Sequence, residues 1–143
     1  MSKRAKRKPS PPQKIDWETL VEVAQAARAR AYSPYSKFPV GAAVLGESGR
    51  IWAGCNVENS SFGLTVCAER NALALAVLEG ERRILAAVVA CGGDAAPPCG
   101  ACRQVLAEFA SPEVPIALIG GARRRTVHRL GDLLPRAFSS IFL

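Results

Sequence analysis

Residues 84–92, ILAAVVACG, form an apolar run with no polar interruption, bounded by Arg82-Arg83 on one side and Gly93-Asp94 on the other. The run falls well short of the ~20 apolar residues that span a bilayer, and its length and composition suit a β-strand covered on both faces. Such a strand demands helices above and below it. The flanking sequence supplies them. Residues 16–31, DWETLVEVAQAARARA, carry Leu20, Val23, Ala24, Ala27 and Ala31 at helical spacing, with acidic residues in the first turns where the macrodipole favours them. Residues 66–80, VCAERNALALAVLEG, read as a mostly buried helix closed by Gly80, and residues 99–110, CGACRQVLAEFA, begin a third helix behind Pro97 and Pro98.

The remaining segments complete a sheet. Val40–Leu45 and Arg50–Val57 are separated by Glu47-Ser48-Gly49 and predict a hairpin. PIALIG (115–120) predicts a further strand, TVHRL (126–130) a short edge strand, and GDLLPRAF (131–138) a brief terminal helix stopped by Pro135. The order α-β-β-α-β-α-β-β-α describes a mixed sheet flanked by helices within one domain.

The net charge of +7 suggests a polyanion partner until it is located. Residues 1–14 hold six of the 19 basic residues (Lys3, Arg4, Lys6, Arg7, Lys8, Lys14) and no acidic one, so the other 13 nearly balance the 12 acidic residues of residues 15–143. The first 14 residues are expected to form a disordered basic tail, too polar for a signal peptide. The Arg123-Arg124-Arg125 run is expected on an exposed strand or loop. With no export signal and no membrane-spanning stretch, a cytoplasmic, reducing location is expected, with neither nucleic acid nor membrane as partner.

In a reducing compartment, clustered cysteines are more often metal ligands or catalytic groups than disulfides. Of the five cysteines, Cys55 and Cys91 stand alone beside apolar or glycine neighbours and read as buried fillers. Cys99 and Cys102, three apart at a helix start, place both thiols on one face of its first turn. There the free N–H groups and the dipole favour thiolates. A CxxC alone also fits a redox dithiol or half of a zinc ribbon. Cys67, heading another helix in the same way, makes a three-sulfur site the better reading, and three thiolates suit Zn²⁺, one per chain. Three ligands leave a place open, as in a catalytic zinc site. A fourth ligand from Cys55, Cys91 or His128, the only histidine, would close it instead. Glu69, two residues past Cys67, stands where a carboxylate can shuttle protons beside the metal. Taken by itself it would read as a carboxylate favoured by the helix N-terminus.

Cys67-Ala68-Glu69 followed by Pro98-Cys99-Gly100-Ala101-Cys102 matches the all-cysteine form of the zinc deaminase pattern. With FPVGAAVL (38–45), NVEN (56–59), VCAER (66–70), PCGACRQV (98–105) and DLLP (132–135), the chain from about residue 17 onward resembles cytidine deaminase of the small homotetrameric type. The resemblance implies a three-layer α/β/α fold with a mixed five-stranded sheet. It implies zinc held by Cys67, Cys99 and Cys102, and Glu69 as general acid and base. It further implies Asn56 and Glu58 at the ribose 3′-hydroxyl, Phe38 packed on the pyrimidine, and Ala68 offering backbone contacts to the base. Arg70 would donate to the thiolates. Phe62 and Phe138 would complete the site of a neighbouring subunit, though either also reads as plain core. Ser60 replaces a small apolar residue common after NVEN in the family.

The implied reaction is hydrolytic deamination of cytidine and 2′-deoxycytidine to uridine and 2′-deoxyuridine with release of ammonia, a step of pyrimidine salvage. A deaminase acting on polynucleotides would usually carry histidine in place of Cys67 and a basic groove. A deaminase of cytosine-like antibiotic nucleosides shares the motif, although NVEN favours an ordinary ribose. A zinc-stabilised binding module would need a fourth ligand.

Overall fold

The computed structural model describes residues 14–122 and 124–143. The first thirteen residues of the expected basic tail, and Arg123, lie outside the described residues. The chain runs α1 (Trp17–Arg28), β1 (Gly41–Gly46), β2 (Ile51–Cys55), α2 (Ala68–Leu78), β3 (Ile84–Ala90), α3 (Gly100–Phe109), β4 (Pro115–Ile119), β5 (Arg125–Arg129) and α4 (Leu130–Leu133). Short 3-10 turns at Phe62–Leu64 and Ser140–Phe142 are additions that the sequence pattern did not indicate. Among the described residues, no helix is long and apolar enough to cross a membrane.

The five strands form one sheet in the order β2-β1-β3-β4-β5. Only β3 and β4 are parallel; β1 runs antiparallel to both β2 and β3, and β5 antiparallel to β4. The continuous apolar run becomes β3, with β1 and β4 on its two sides. Its alternation shows why every position is apolar. Ala86, Val88 and Ala90 join Leu20 and Ala24 of α1 in one core, whereas Ala87 and Val89 join Ala72, Leu73 and Ala76 of α2 and Leu106 of α3 in the other. The same split divides Ala42 and Val44 from Ala43 and Leu45 along β1. The architecture is therefore α1, sheet, and α2 with α3.

Helix ends follow their chemistry. Asp16 caps α1, its carboxylate accepting from the Thr19 backbone N–H at 3.1 Å and the Thr19 hydroxyl at 2.8 Å. Gly80, at φ 102°, leaves α2 through the left-handed region that glycine enters freely. Pro135 stops α4 after Leu133 because the residue before a proline avoids the helical basin, and Leu134 sits at φ −136°, ψ 72°. β5 is exposed at all five positions, so its basic residues lie in solvent along the sheet edge.

Candidate active site

Cys67 and Cys99 are the N-cap residues of α2 and α3, and neither side chain is spent on a capping hydrogen bond. The first-turn N–H groups beside Cys99 lack intrahelical acceptors and favour its thiolate. Cys102 follows on the buried side of the first turn of α3. The three sulfurs lie within 4.8 Å of one another. Cys67 Sγ and Cys99 Sγ are 3.8 Å apart. Ligands about 2.3 Å from a tetrahedral ion stand about 3.8 Å apart, so the donor set has the spacing and softness of a zinc site.

The three residues that might have closed the site are elsewhere. His128 is on exposed β5 with its ring beside the Thr126 hydroxyl. Cys91 is buried and its thiol donates to the Asp94 carbonyl at 3.0 Å. Cys55, expected buried, is only half-buried, and its thiol points to the Arg30 carbonyl at 3.6 Å. β2 is an edge strand of the sheet, and its Ile51, Ala53 and Gly54 are half-buried as well.

The electrostatics match a cation site. Burial pushes the Cys102 thiol well above its ordinary range, and the Glu69 carboxylate and neighbouring sulfurs add repulsion. Cys99 also feels a desolvation penalty, but hydrogen bonds from the Cys102 and Ala101 backbone and from the Cys102 and Cys67 thiols bring it below its ordinary value. A divalent ion turns that mutual repulsion into shared attraction. Arg70, the third residue of α2, donates through Nη2 to Cys67 Sγ at 3.6 Å and to the Thr65 carbonyl at 3.4 Å. Its Nε is buried without a protein partner among the described residues. One guanidinium charge beside three thiolates offsets the excess negative charge that remains once a divalent ion binds.

Glu69 is 5% exposed in the first turn of α2. Burial raises its pKa, against smaller opposing contributions from its own backbone N–H, the Cys102 thiol and Arg70. A buried carboxyl group with its pKa moved toward neutrality is suited to exchanging protons. Ala68 is the first residue of the helix, so its N–H also has no intrahelical acceptor.

A second group holds the segment that carries Phe38. Asn56 is buried; its Oδ1 accepts from the Val40 N–H at 2.8 Å and its Nδ2 donates to the Phe38 carbonyl at 2.9 Å. The Glu58 carboxylate accepts from the backbone N–H of Tyr35 at 3.0 Å and of Ser36 at 3.2 Å. Desolvation alone would raise the Glu58 pKa, but hydrogen bonds from Ser36 and Tyr35, with Lys37 nearby, bring it below the ordinary carboxylate value. From α1, Arg28 donates through Nε to the Pro39 carbonyl at 3.3 Å. Phe38 follows Lys37, which adopts φ 58°, and is partly exposed.

The other two aromatic candidates are more open. Phe62 is 72% exposed, with Tyr35 tilted against it at 5.5 Å between ring centroids. Phe138 is 61% exposed and stacks on Phe142 at 5.7 Å, its carbonyl accepting from Gln104 Nε2 at 3.0 Å. Neither ring is core of this chain. The sequence offered no signal for Arg28, Arg103 and Gln104, whose contacts run to backbone carbonyls distant in the chain.

Residues 15–118 match the family described as the cytidine and deoxycytidylate deaminase zinc-binding region, a stretch containing all three cysteines and Glu69 but ending before Phe138. The chain belongs to the cytidine deaminase family. A cytidine deaminase of Sporosarcina psychrophila is 50% identical over 129 residues, covering 87% of this chain and 93% of that protein. One from Mycobacterium tuberculosis is 48% identical over 125 residues, covering 87% and 90%. The crystal structure of cytidine deaminase from Burkholderia pseudomallei superposes with a TM-score of 0.83 at 44% identity, covering 87% of this chain and 100% of that one. The mixed five-stranded sheet with its flanking helices is thus the deaminase fold, and Cys67, Cys99 and Cys102 are positioned to bind one zinc within the family's zinc-binding region.

Proposed function

We propose that this deaminase converts cytidine and 2′-deoxycytidine to uridine and 2′-deoxyuridine by hydrolysis, releasing ammonia, as a cytoplasmic step of pyrimidine salvage. The observation that carries the proposal is the buried Glu69 carboxyl group on the first turn of α2, two residues past Cys67 of the three-sulfur cluster. Zinc held by the three sulfurs supplies a Lewis acid that makes water nucleophilic near neutral pH. Glu69 takes a proton from the attacking water and gives it to N3 of the base as the C4–O bond forms. It then takes the proton of the new hydroxyl group and gives it to the departing amine as the C4–N bond breaks. One carboxyl group therefore acts twice, and burial raises its pKa, the direction that favours holding a proton between the two transfers.

Recognition falls to the groups around it. The unpaired Ala68 N–H is available to the base, and Phe38 packs on the pyrimidine face. Asn56 retains one N–H and one lone pair beyond the two bonds it makes, and the Glu58 carboxylate retains lone pairs beyond those given to Tyr35 and Ser36. Those spare positions receive the ribose 3′-hydroxyl. A carboxylate there repels a 3′-phosphate, which favours free nucleosides over polynucleotides. Phe62 and Phe138, exposed on an isolated chain, complete the sites of neighbouring subunits in a homotetramer, an arrangement that removes these aromatics from water.

The test follows cytidine by the loss of its ultraviolet absorbance together with ammonia release, before and after zinc is stripped by a chelator. Turnover that is abolished by chelation and restored by zinc is expected. Turnover indifferent to zinc removal, or none on either nucleoside at full zinc loading, overturns the proposal.

A further inference from the structure

Cys99 is the exposed member of the ligand trio, followed by two exposed residues, Gly100 and Ala101, so side-chain packing does not hold it. Its backbone is held instead, and from one residue. The Arg103 N–H donates to the Cys99 carbonyl at 3.0 Å, the ordinary first backbone bond of α3. The same arginine, through Nε, donates to the Pro98 carbonyl at 2.7 Å. The peptide groups on both sides of Cys99 are thereby pinned, which sets the direction in which its Cβ and sulfur leave the chain. The guanidinium then reaches out of the metal loop, donating through Nη1 to the carbonyl of Leu133 at 2.6 Å. That carbonyl ends α4 and has no helical partner of its own. Gln104, the next residue, donates to the Phe138 carbonyl at 3.0 Å. Two consecutive side chains directly behind Cys102 therefore tie the C-terminal arm to the zinc loop.

We infer that Arg103 is a positioning residue that orients Cys99 for zinc and couples the metal loop to the C-terminal arm bearing Phe138. The planar fork of a guanidinium suits the task, because two of its N–H groups meet carbonyls from segments about 35 residues apart while its charge stays fixed. A lysine can satisfy one carbonyl but not hold both in fixed geometry. The inference rests on zinc being held by the three cysteines. If Cys99→Ala leaves zinc affinity unchanged, that assignment fails; if it weakens binding while Arg103 variants behave as wild type, only the role of Arg103 fails.

The test measures zinc release from the loaded full-length protein to excess chelator for wild type, Arg103→Met and Arg103→Lys. Loss of a group that orients a metal ligand is expected to speed release by about tenfold or more in Arg103→Met, with Arg103→Lys intermediate. A purely structural arginine would change thermal stability and leave this rate alone, so wild-type release from Arg103→Met overturns the inference. Hydrogen exchange of residues 131–143, measured on wild type with and without zinc, serves if the variants do not fold. Faster exchange after zinc removal is expected, and identical exchange in the two states overturns the coupling.

Discussion

Gly54 of β2 sets the distance between the sheet and the helix that carries Glu69. A Cβ placed there would lie 2.3 Å from the Ala72 nitrogen, 2.5 Å from the Ala68 carbonyl oxygen and 2.9 Å from the Ala72 Cα. All three are backbone atoms of α2, so no change of rotamer relieves the contact. Ordinary contact begins near 3.4 Å, and α2 must therefore withdraw by roughly 1 Å in Gly54→Ala. Overpacking of this kind costs about 1–3 kcal/mol, which lowers the melting temperature by roughly 3–12 °C in a chain of this size. A shift of ~1 Å at a reacting centre costs on the order of 100-fold in rate. Calorimetry and cytidine turnover per bound zinc measure the two effects on the same preparation. Gly93→Ala is the control, because its Cβ meets nothing within 4 Å. Gly54→Ala with the melting temperature and turnover of wild type would refute the claim that this close approach positions α2.

Glu69→Gln, which keeps the shape but not the proton exchange, is expected to retain one zinc per chain and lose roughly 100-fold to 10,000-fold in turnover; near-normal turnover would remove Glu69 from the proposed chemistry. The Glu58 pKa is depressed in the folded chain, so its grip on the Tyr35 and Ser36 amides contributes stability above the ordinary value of 4.5 and loses it as pH falls through the lower folded value. Exchange protection of those two amides should decline over that acid window, and protection indifferent to it would show that the carboxylate does not hold the segment. Deleting residues 1–14 is expected to leave nucleoside kinetics unchanged, and a collapse of turnover would place the basic tail within the site.

The parts of this protein visible from its sequence are those that rest on local pattern. β3 was readable because both of its faces are buried, so each position had to be apolar. The zinc cluster was readable because two helix starts each bear a cysteine and a third follows three residues on. β5 was only suggested by TVHRL, since a fully exposed edge strand keeps no apolar alternation and is defined by its pairing with β4. Cys55 read as buried because its neighbours are apolar, while it lies on an edge strand that is half-buried at four of its five positions. The grips of Asn56, Glu58, Arg28 and Arg103 on distant backbone groups carry no local signature at all, because the donors and acceptors meet only after the sheet and helices have assembled.

Three sulfurs with no fourth protein ligand are expected to hold one zinc beside Glu69. X-ray absorption at the zinc edge of the purified protein reads this directly. Three sulfur neighbours at about 2.3 Å and one lighter oxygen or nitrogen neighbour near 2.0 Å are expected in the wild type, with one sulfur lost in Cys99→Ala. Four sulfurs around the metal, or a shell without sulfur, would contradict the account.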